Sequence, residues 1–175
     1  MKNVYIPAIN GNNAQYFEVQ IYYDYSDDNL IISGYVDSEI EQSVYISLTI
    51  LKSWKIKIPN FIHIHFPDYN YLKAGISASL GIFFSIYSSI LEITVTKSYL
   101  FTGEIDILGN ISEVGGMEYK YKLFKKEKFD FFIVPTNVKK QIGKKNTEDS
   151  AIIGFNTLYD MCKFIKNQEG LNEIK

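Results

Sequence analysis

The chain contains no arginine: its 18 basic side chains are all lysine, set against 20 acidic ones for a net charge of −2. Without a guanidinium there is no bidentate reader of guanine and no arginine finger, and the near-neutral balance leaves no electrostatic footprint for nucleic acid. No nucleic-acid partner is expected. The single cysteine, Cys162, cannot form an internal disulfide, and no charged-then-apolar leader follows Met1, so the expected compartment is the cytoplasm. The longest apolar run, Ile76 to Ile93, is interrupted by Ser77, Ser79, Ser85, Ser88, Ser89 and Glu92. It reads as a buried core helix, and membrane anchoring is not expected. Neither a Gly-x-x-x-x-Gly-Lys-Ser/Thr loop nor a Gly-x-Gly-x-x-Gly motif occurs, so there is no recognisable nucleotide site.

What is present describes a folded protein. Hydrophobic residues make up 46% and aromatics 15%, which excludes a disordered chain. At 175 residues, without composition break or internal repeat, one domain spanning 1–175 is expected, large enough for a core without metal or disulfide support. Strands are predicted over Val4–Ile9, Tyr16–Tyr23 and Asn29–Tyr35. A helix runs over Ser38–Trp54, with Ser38 as its cap and Ile40, Val44, Leu48 and Leu51 at helical spacing. Asn60–Phe66 alternates as a strand. Ile76–Glu92 is a second helix, with Leu80, Phe83, Phe84, Tyr87, Ile90 and Leu91 on its inner face. Further strands are expected over Ser98–Ile105 and Ile107–Val114, then a short helix from Met117 to Lys128 and a buried strand Phe129–Val134. The remainder is a helical turn near Asn137–Ile142, a polar loop Gly143–Asp149, a strand Ala151–Gly154 and an amphipathic helix Leu158–Asn167. Strands first, then alternation of helix and strand, predict an α+β fold with a mixed sheet and helices packed on it.

Two segments carry the chemistry. In Lys73-Ala74-Gly75-Ile76-Ser77-Ala78-Ser79, glycine permits a sharp turn, so that the Ser77 hydroxyl and the free amides of the first helical turn converge as nucleophile and oxyanion hole. A serine after glycine at a helix start is as often simply a cap. The Gly-x-Ser-x-Gly elbow is incomplete, and both histidines precede the serine, which excludes the chain order Ser, acid, His. In Gly115-Gly116-Met117-Glu118-Tyr119-Lys120, the residues Met117, Lys120, Tyr121 and Phe124 share a stripe, whereas Lys122 and Lys126 point away. Lys120 is therefore the inward lysine. Lowering its pKa from about 10.4 to about 7–8 costs roughly 4 kcal/mol, which general-base work would justify.

With Thr102-Gly103-Glu104-Ile105, Gly109 and Gly115-Gly116-x-x-x-Lys120, preceded by Lys73-x-Gly75-x-Ser77-Ala78, the chain resembles the proteolytic domain of Lon proteases. That family carries Lys-Asp-Gly-Pro-Ser-Ala-Gly, then Thr-Gly-Glu and Gly-Gly-Leu-Lys-Glu-Lys, in the same order, and His63-Ile64-His65 falls where it has His-Val-His. The resemblance implies the Lon proteolytic fold, related to the ribosomal S5 domain 2-like superfamily, and a serine-lysine endopeptidase with Ser77 as nucleophile and Lys120 as base. Thr102 would orient the lysine, with Gly75, Ile76, Ala78, His63 and His65 in support. Three positions depart from the pattern: Ala74 replaces aspartate, Ile76 proline and Ser79 glycine.

His63 and His65 face one side of a strand, but further ligands are too few for a metal site, so packing or polar support of the active-site region is expected. No cofactor is expected. The ATPase ring that full-length Lon couples to this domain is absent from the sequence: either it was cut away, or it resides on another polypeptide, or the protein works without it, and the expected substrate is an unfolded or flexible protein or peptide. A separate ATPase or unfoldase could act as partner, and a homo-oligomeric ring would be weak without the ATPase. The alternatives are a catalytically weak or inactive Lon-like module used for partner binding or structure, and a dedicated processing protease.

Overall fold

In the computed structural model, which describes residues 3–26, 28–143 and 150–171, four strands open the chain. They are β1 (Val4–Asn10), β2 (Asn13–Phe17), β3 (Gln20–Asp24) and β4 (Asn29–Gly34), and they are followed by α1 (Ser38–Ser53) and β5 (Phe61–Phe66). A 3-10 turn at Ile76–Ala78 leads into α2 (Ser79–Ile90), then β6 (Tyr99–Phe101), β7 (Glu104–Ile105) and β8 (Ile111–Ser112). The described chain ends with α3 (Met117–Glu127), β9 (Phe131–Pro135), α4 (Thr136–Gly143), β10 (Ile152–Phe155) and α5 (Leu158–Gln168). The expected α+β class, mixed sheets with packed helices, is what forms.

The principal sheet has the order β10-β9-β6-β1-β2, with every neighbour parallel except the β1–β2 hairpin. Its strands build two cores because successive side chains point to opposite faces. On β6, Tyr99 and Phe101 join the larger apolar cluster with α2, whereas Leu100 joins a second cluster with Leu123, Phe124, Phe132 and Val134. On β9, Ile133 faces the first cluster and Phe132 and Val134 the second. The first face is covered by α2 and α5, the second by α3 and α4. A smaller sheet, β3-β5-β4, and the β7–β8 ribbon complete the strands.

All residues of α2 from Ser79 to Ile90 are buried, because the helix lies between the principal sheet and α1. It therefore has no single inner face, and Leu91, expected inside, is 39% exposed just past its end. Gly81 is set tightly against β1: a Cβ there would stand 2.5 Å from Ile6 Cγ1. Phe84 stacks on Phe101 with ring centroids 5.0 Å apart.

Several expected boundaries are corrected. Tyr16–Tyr23 is two strands in two different sheets, with the buried Val19 in the crossing between them. Ser98–Ile105 is likewise divided between β6 and β7 at Thr102-Gly103, and Ile107–Val114 shrinks to β8. Continuous β-favouring composition hides such breaks, since propensity does not encode which sheet a residue joins. The cap of α1 is Asp37 rather than Ser38: its Oδ1 accepts from the Ile40 N–H at 2.9 Å. The expected polar loop Gly143–Asp149 lies, from residue 144 on, outside the described residues. Among the described residues no helix is long and apolar enough to cross a membrane.

Candidate active site

Gly75 has φ +100° and ψ 134°, a backbone that side chains rarely adopt, and it turns the chain into the 3-10 segment with Ser77 at its centre. The Ala78 N–H donates back to the Gly75 carbonyl at 3.2 Å. Ser77 is half-buried, and the residues at the N-cap positions of the 3-10 turn and of α2, Gly75 and Ala78, cap neither with a side chain of their own. The capping role that such a serine often plays is not the one it has here.

The turn is stitched to the segment after β6. The Gly103 N–H donates to the Ser77 carbonyl at 3.1 Å, and the Leu80 N–H to the Gly103 carbonyl at 3.2 Å. The buried Ser79 hydroxyl donates to the Gly103 carbonyl at 3.2 Å and accepts from the Ile105 N–H at 3.0 Å. Ser79 thus adds two bonds, through its side chain, to the attachment of the serine turn.

α3 approaches the same segment from the other face of the sheet. Its N-cap is Gly116, whose φ of +69° lies in the left-handed region that favours glycine, and a Cβ there would stand 2.1 Å from the tip of Ile9 on β1. One turn on, Lys120 is 2% exposed, and its Nζ donates to Thr102 Oγ1 at 3.0 Å. Burial lowers its pKa from the usual 10.5 to about 8. Lys122 pairs with Glu118 at 2.7 Å in solvent, and Lys126 also points outward. Of the expected stripe, Lys120 and Phe124 are buried, Met117 and Tyr121 only partly, and Leu123 is buried although it was not expected.

Thr102 is fully buried, and its N–H donates to the Ile133 carbonyl at 3.0 Å. It stands just beyond the carboxyl end of β6, the edge at which parallel sheets with helices on both faces commonly hold their ligands. Ser77, held through Gly103, and Lys120, held through Thr102, therefore converge on two consecutive residues. Ala78, next in the chain after Ser77, is buried.

His63 and His65 are not part of this group. His63 Nε2 and His65 Nδ1 each lie 2.8 Å from Ser33 Oγ on the smaller sheet, and the His65 ring packs on Tyr69. Their hydrogen bonds go to Ser33 on β4. Among the described residues no three His, Cys, Asp or Glu side chains are grouped to hold a metal ion.

Three side chains around the serine turn were not anticipated. Asp37, while capping α1, accepts the Gly75 N–H through Oδ2 at 3.2 Å, and Glu39 Oε2 accepts the Ile76 N–H at 3.1 Å. Lys73 is fully buried; its amine donates to the carbonyls of Asp68 and Tyr71 and sits 4.3 Å from the centre of the Tyr71 ring. Burial lowers its pKa, although the nearby Asp68 opposes the shift. The adjacent cap-type residues Asp37 and Ser38 were the available signal for the first of these. Nothing local announced the others.

Cys162 does not compete as a nucleophile, because burial pushes its thiol pKa up, away from thiolate. It lines a groove of about 490 Å³ with Trp54, Tyr87 and Lys166, a groove that contains none of the Ser77 group.

The family model for the Lon protease (S16) C-terminal proteolytic domain matches residues 11–162. The chain belongs to this family. The Lon protease of Aster yellows witches'-broom phytoplasma (strain AYWB) is 28% identical over 150 residues, covering 78% of this chain and 19% of that protein. The Lon protease of Clostridium beijerinckii is 33% identical over 96 residues, 52% of this chain and 12% of that protein. The Lon protease of Orientia tsutsugamushi is 39% identical over 74 residues, 42% of this chain and 9% of that protein. The chain thus spans less than a fifth of the length of these Lon relatives. Its Lon match includes both the Ser77 turn and the start of α3.

Proposed function

We propose that this Lon-type domain hydrolyses peptide bonds by way of an acyl-enzyme on Ser77, with Lys120 as general base. The observation that carries the reading is a lysine amine buried to 2% exposure, with a pKa of about 8 and a hydrogen bond to Thr102, next to the residue that anchors the Ser77 turn. Only a neutral amine has a lone pair to accept a proton, and burial is what makes the neutral form accessible near physiological pH.

One N–H of the neutral amine donates to Thr102 Oγ1, which fixes the direction of the lone pair. That lone pair takes the Ser77 hydroxyl proton as Oγ attacks the substrate carbonyl. The tetrahedral intermediate collapses when the Lys120 ammonium protonates the departing amine. A water molecule then loses its proton to Lys120 and attacks the ester, and the returning proton frees Ser77. Ala74 is exposed and the Ser79 hydroxyl is bonded within the scaffold, so neither departure removes a member of the proposed pair.

The substrate we assign is a flexible or unfolded polypeptide, delivered by a separate unfoldase or reached without one. The test is cleavage of an unfolded protein together with labelling of Ser77 by a fluorophosphonate, read by intact mass. Wild type should cleave slowly and label once, and Ser77→Ala and Lys120→Ala should do neither. Cleavage at the wild-type rate by either variant would refute the pair.

A further inference from the structure

We infer that Glu39 is a positioning residue for the nucleophile, doing with a hydrogen bond what a proline ring would do at position 76. The inference rests on the reading of Ser77 as nucleophile and extends it to a side chain outside the motif. Ile76 directly precedes Ser77 and opens the 3-10 turn. Its N–H, which no intrahelical carbonyl can take at a first position, donates to Glu39 Oε2 at 3.1 Å. The neighbouring Gly75 N–H is taken by Asp37 Oδ2 at 3.2 Å. Two carboxylates from the start of α1 therefore hold the two residues ahead of the serine.

The local backbone is one that proline would accept. Position 76 begins a 3-10 turn, whose φ of about −50 to −70° matches the proline ring. The preceding Gly75 has ψ 134°, inside the range a following proline imposes. Isoleucine at this position is free to rotate about φ and carries an additional donor. Glu39 accepts that donor and so restrains the segment whose drift would move Ser77 away from Lys120. Because a misplacement of about 1 Å can cost on the order of a hundredfold in rate, even a partly solvated tether of this kind matters to the reaction.

The test combines two measurements on the whole chain. The first is hydrogen exchange at the Ile76 amide, followed by NMR; the second is the rate of Ser77 labelling by the fluorophosphonate. Glu39→Ala should expose the Ile76 amide to exchange and slow labelling about fivefold, as loss of one solvent-exposed hydrogen bond predicts. Glu39→Gln, which keeps an acceptor oxygen, should recover most of both. In an Ile76→Pro background, labelling should be restored to the wild-type rate and Glu39→Ala should have no further effect, a pattern that general loss of stability cannot produce. Unchanged exchange at the Ile76 amide in Glu39→Ala, or an equal slowing in the Ile76→Pro background, would overturn the inference. A wild-type protein that never labels would refute the proposed function instead, and the amide measurement would still decide whether the tether exists.

Discussion

Replacing Lys120 with methionine should stabilise the protein at neutral pH while abolishing its chemistry. In the unfolded chain the lysine titrates near 10.5, whereas in the folded chain burial holds it at about 8. The folded state therefore binds the proton less tightly, and the unfolded state carries more protons between these values, so stability rises with pH across that window. Below about pH 8 the full cost applies: 2.5 units at 1.36 kcal/mol each amounts to about 3 kcal/mol. The same linkage leaves about 2 kcal/mol at pH 9 and under about 1 kcal/mol at pH 10.5. Methionine removes this term but strips Thr102 Oγ1 of its partner, a loss of about 1 kcal/mol. The net gain for Lys120→Met should be about 2 kcal/mol at pH 7, shrinking to zero or below by pH 10.5. Urea denaturation of both proteins across this range reads the difference directly, and the other titrating groups cancel in the comparison. A difference that does not change with pH would show that Lys120 is not buried at a cost, and the base assignment would fall with it.

The rate of Ser77 acylation should rise with pH along a single ascending limb with its midpoint near 8 and level off above, because only neutral Lys120 can take the proton; a flat profile from pH 6 to 10 would count against it. Ser79→Ala should cost about 2 kcal/mol, since it removes the hydroxyl shared by the Gly103 carbonyl and the Ile105 N–H in a buried site, and it should slow labelling of Ser77 more than it weakens binding of a peptide substrate. Thermal unfolding together with separate kcat and KM values checks both halves of that statement.

The legible parts of the molecule are those whose signals are local. Helical spacing in 117–128 singled out Lys120 as the inward lysine and Lys122 and Lys126 as outward ones, and burial follows that division. Gly75 marked a sharp turn ahead of Ser77, and its φ is positive. What sequence did not reveal depends on which elements become neighbours. The division of Tyr16–Tyr23 between two sheets is a matter of topology, and β-favouring composition is indifferent to it. The histidines share a strand face, as their spacing requires, but the identity of their partner, Ser33, follows from the register of β4 on β5. The tethering of Gly75 and Ile76 spans more than 35 residues of chain, and no local pattern announces it.

Because Tyr99 and Phe101 face one core while Leu100 faces the other, the serine turn and α3 reach the end of β6 from opposite sides of the sheet. A chain emerging during synthesis completes neither side early: the serine-side core waits for Ile133 of β9 and for Leu158, Met161 and Ile165 of α5, and the lysine side needs Phe132 and Val134 of β9 as its floor. Until those residues have emerged and docked, the serine has no base. On the proposed mechanism the protein is thus harmless to itself and its neighbours while half-made, and becomes able to cut only when both layers are in place.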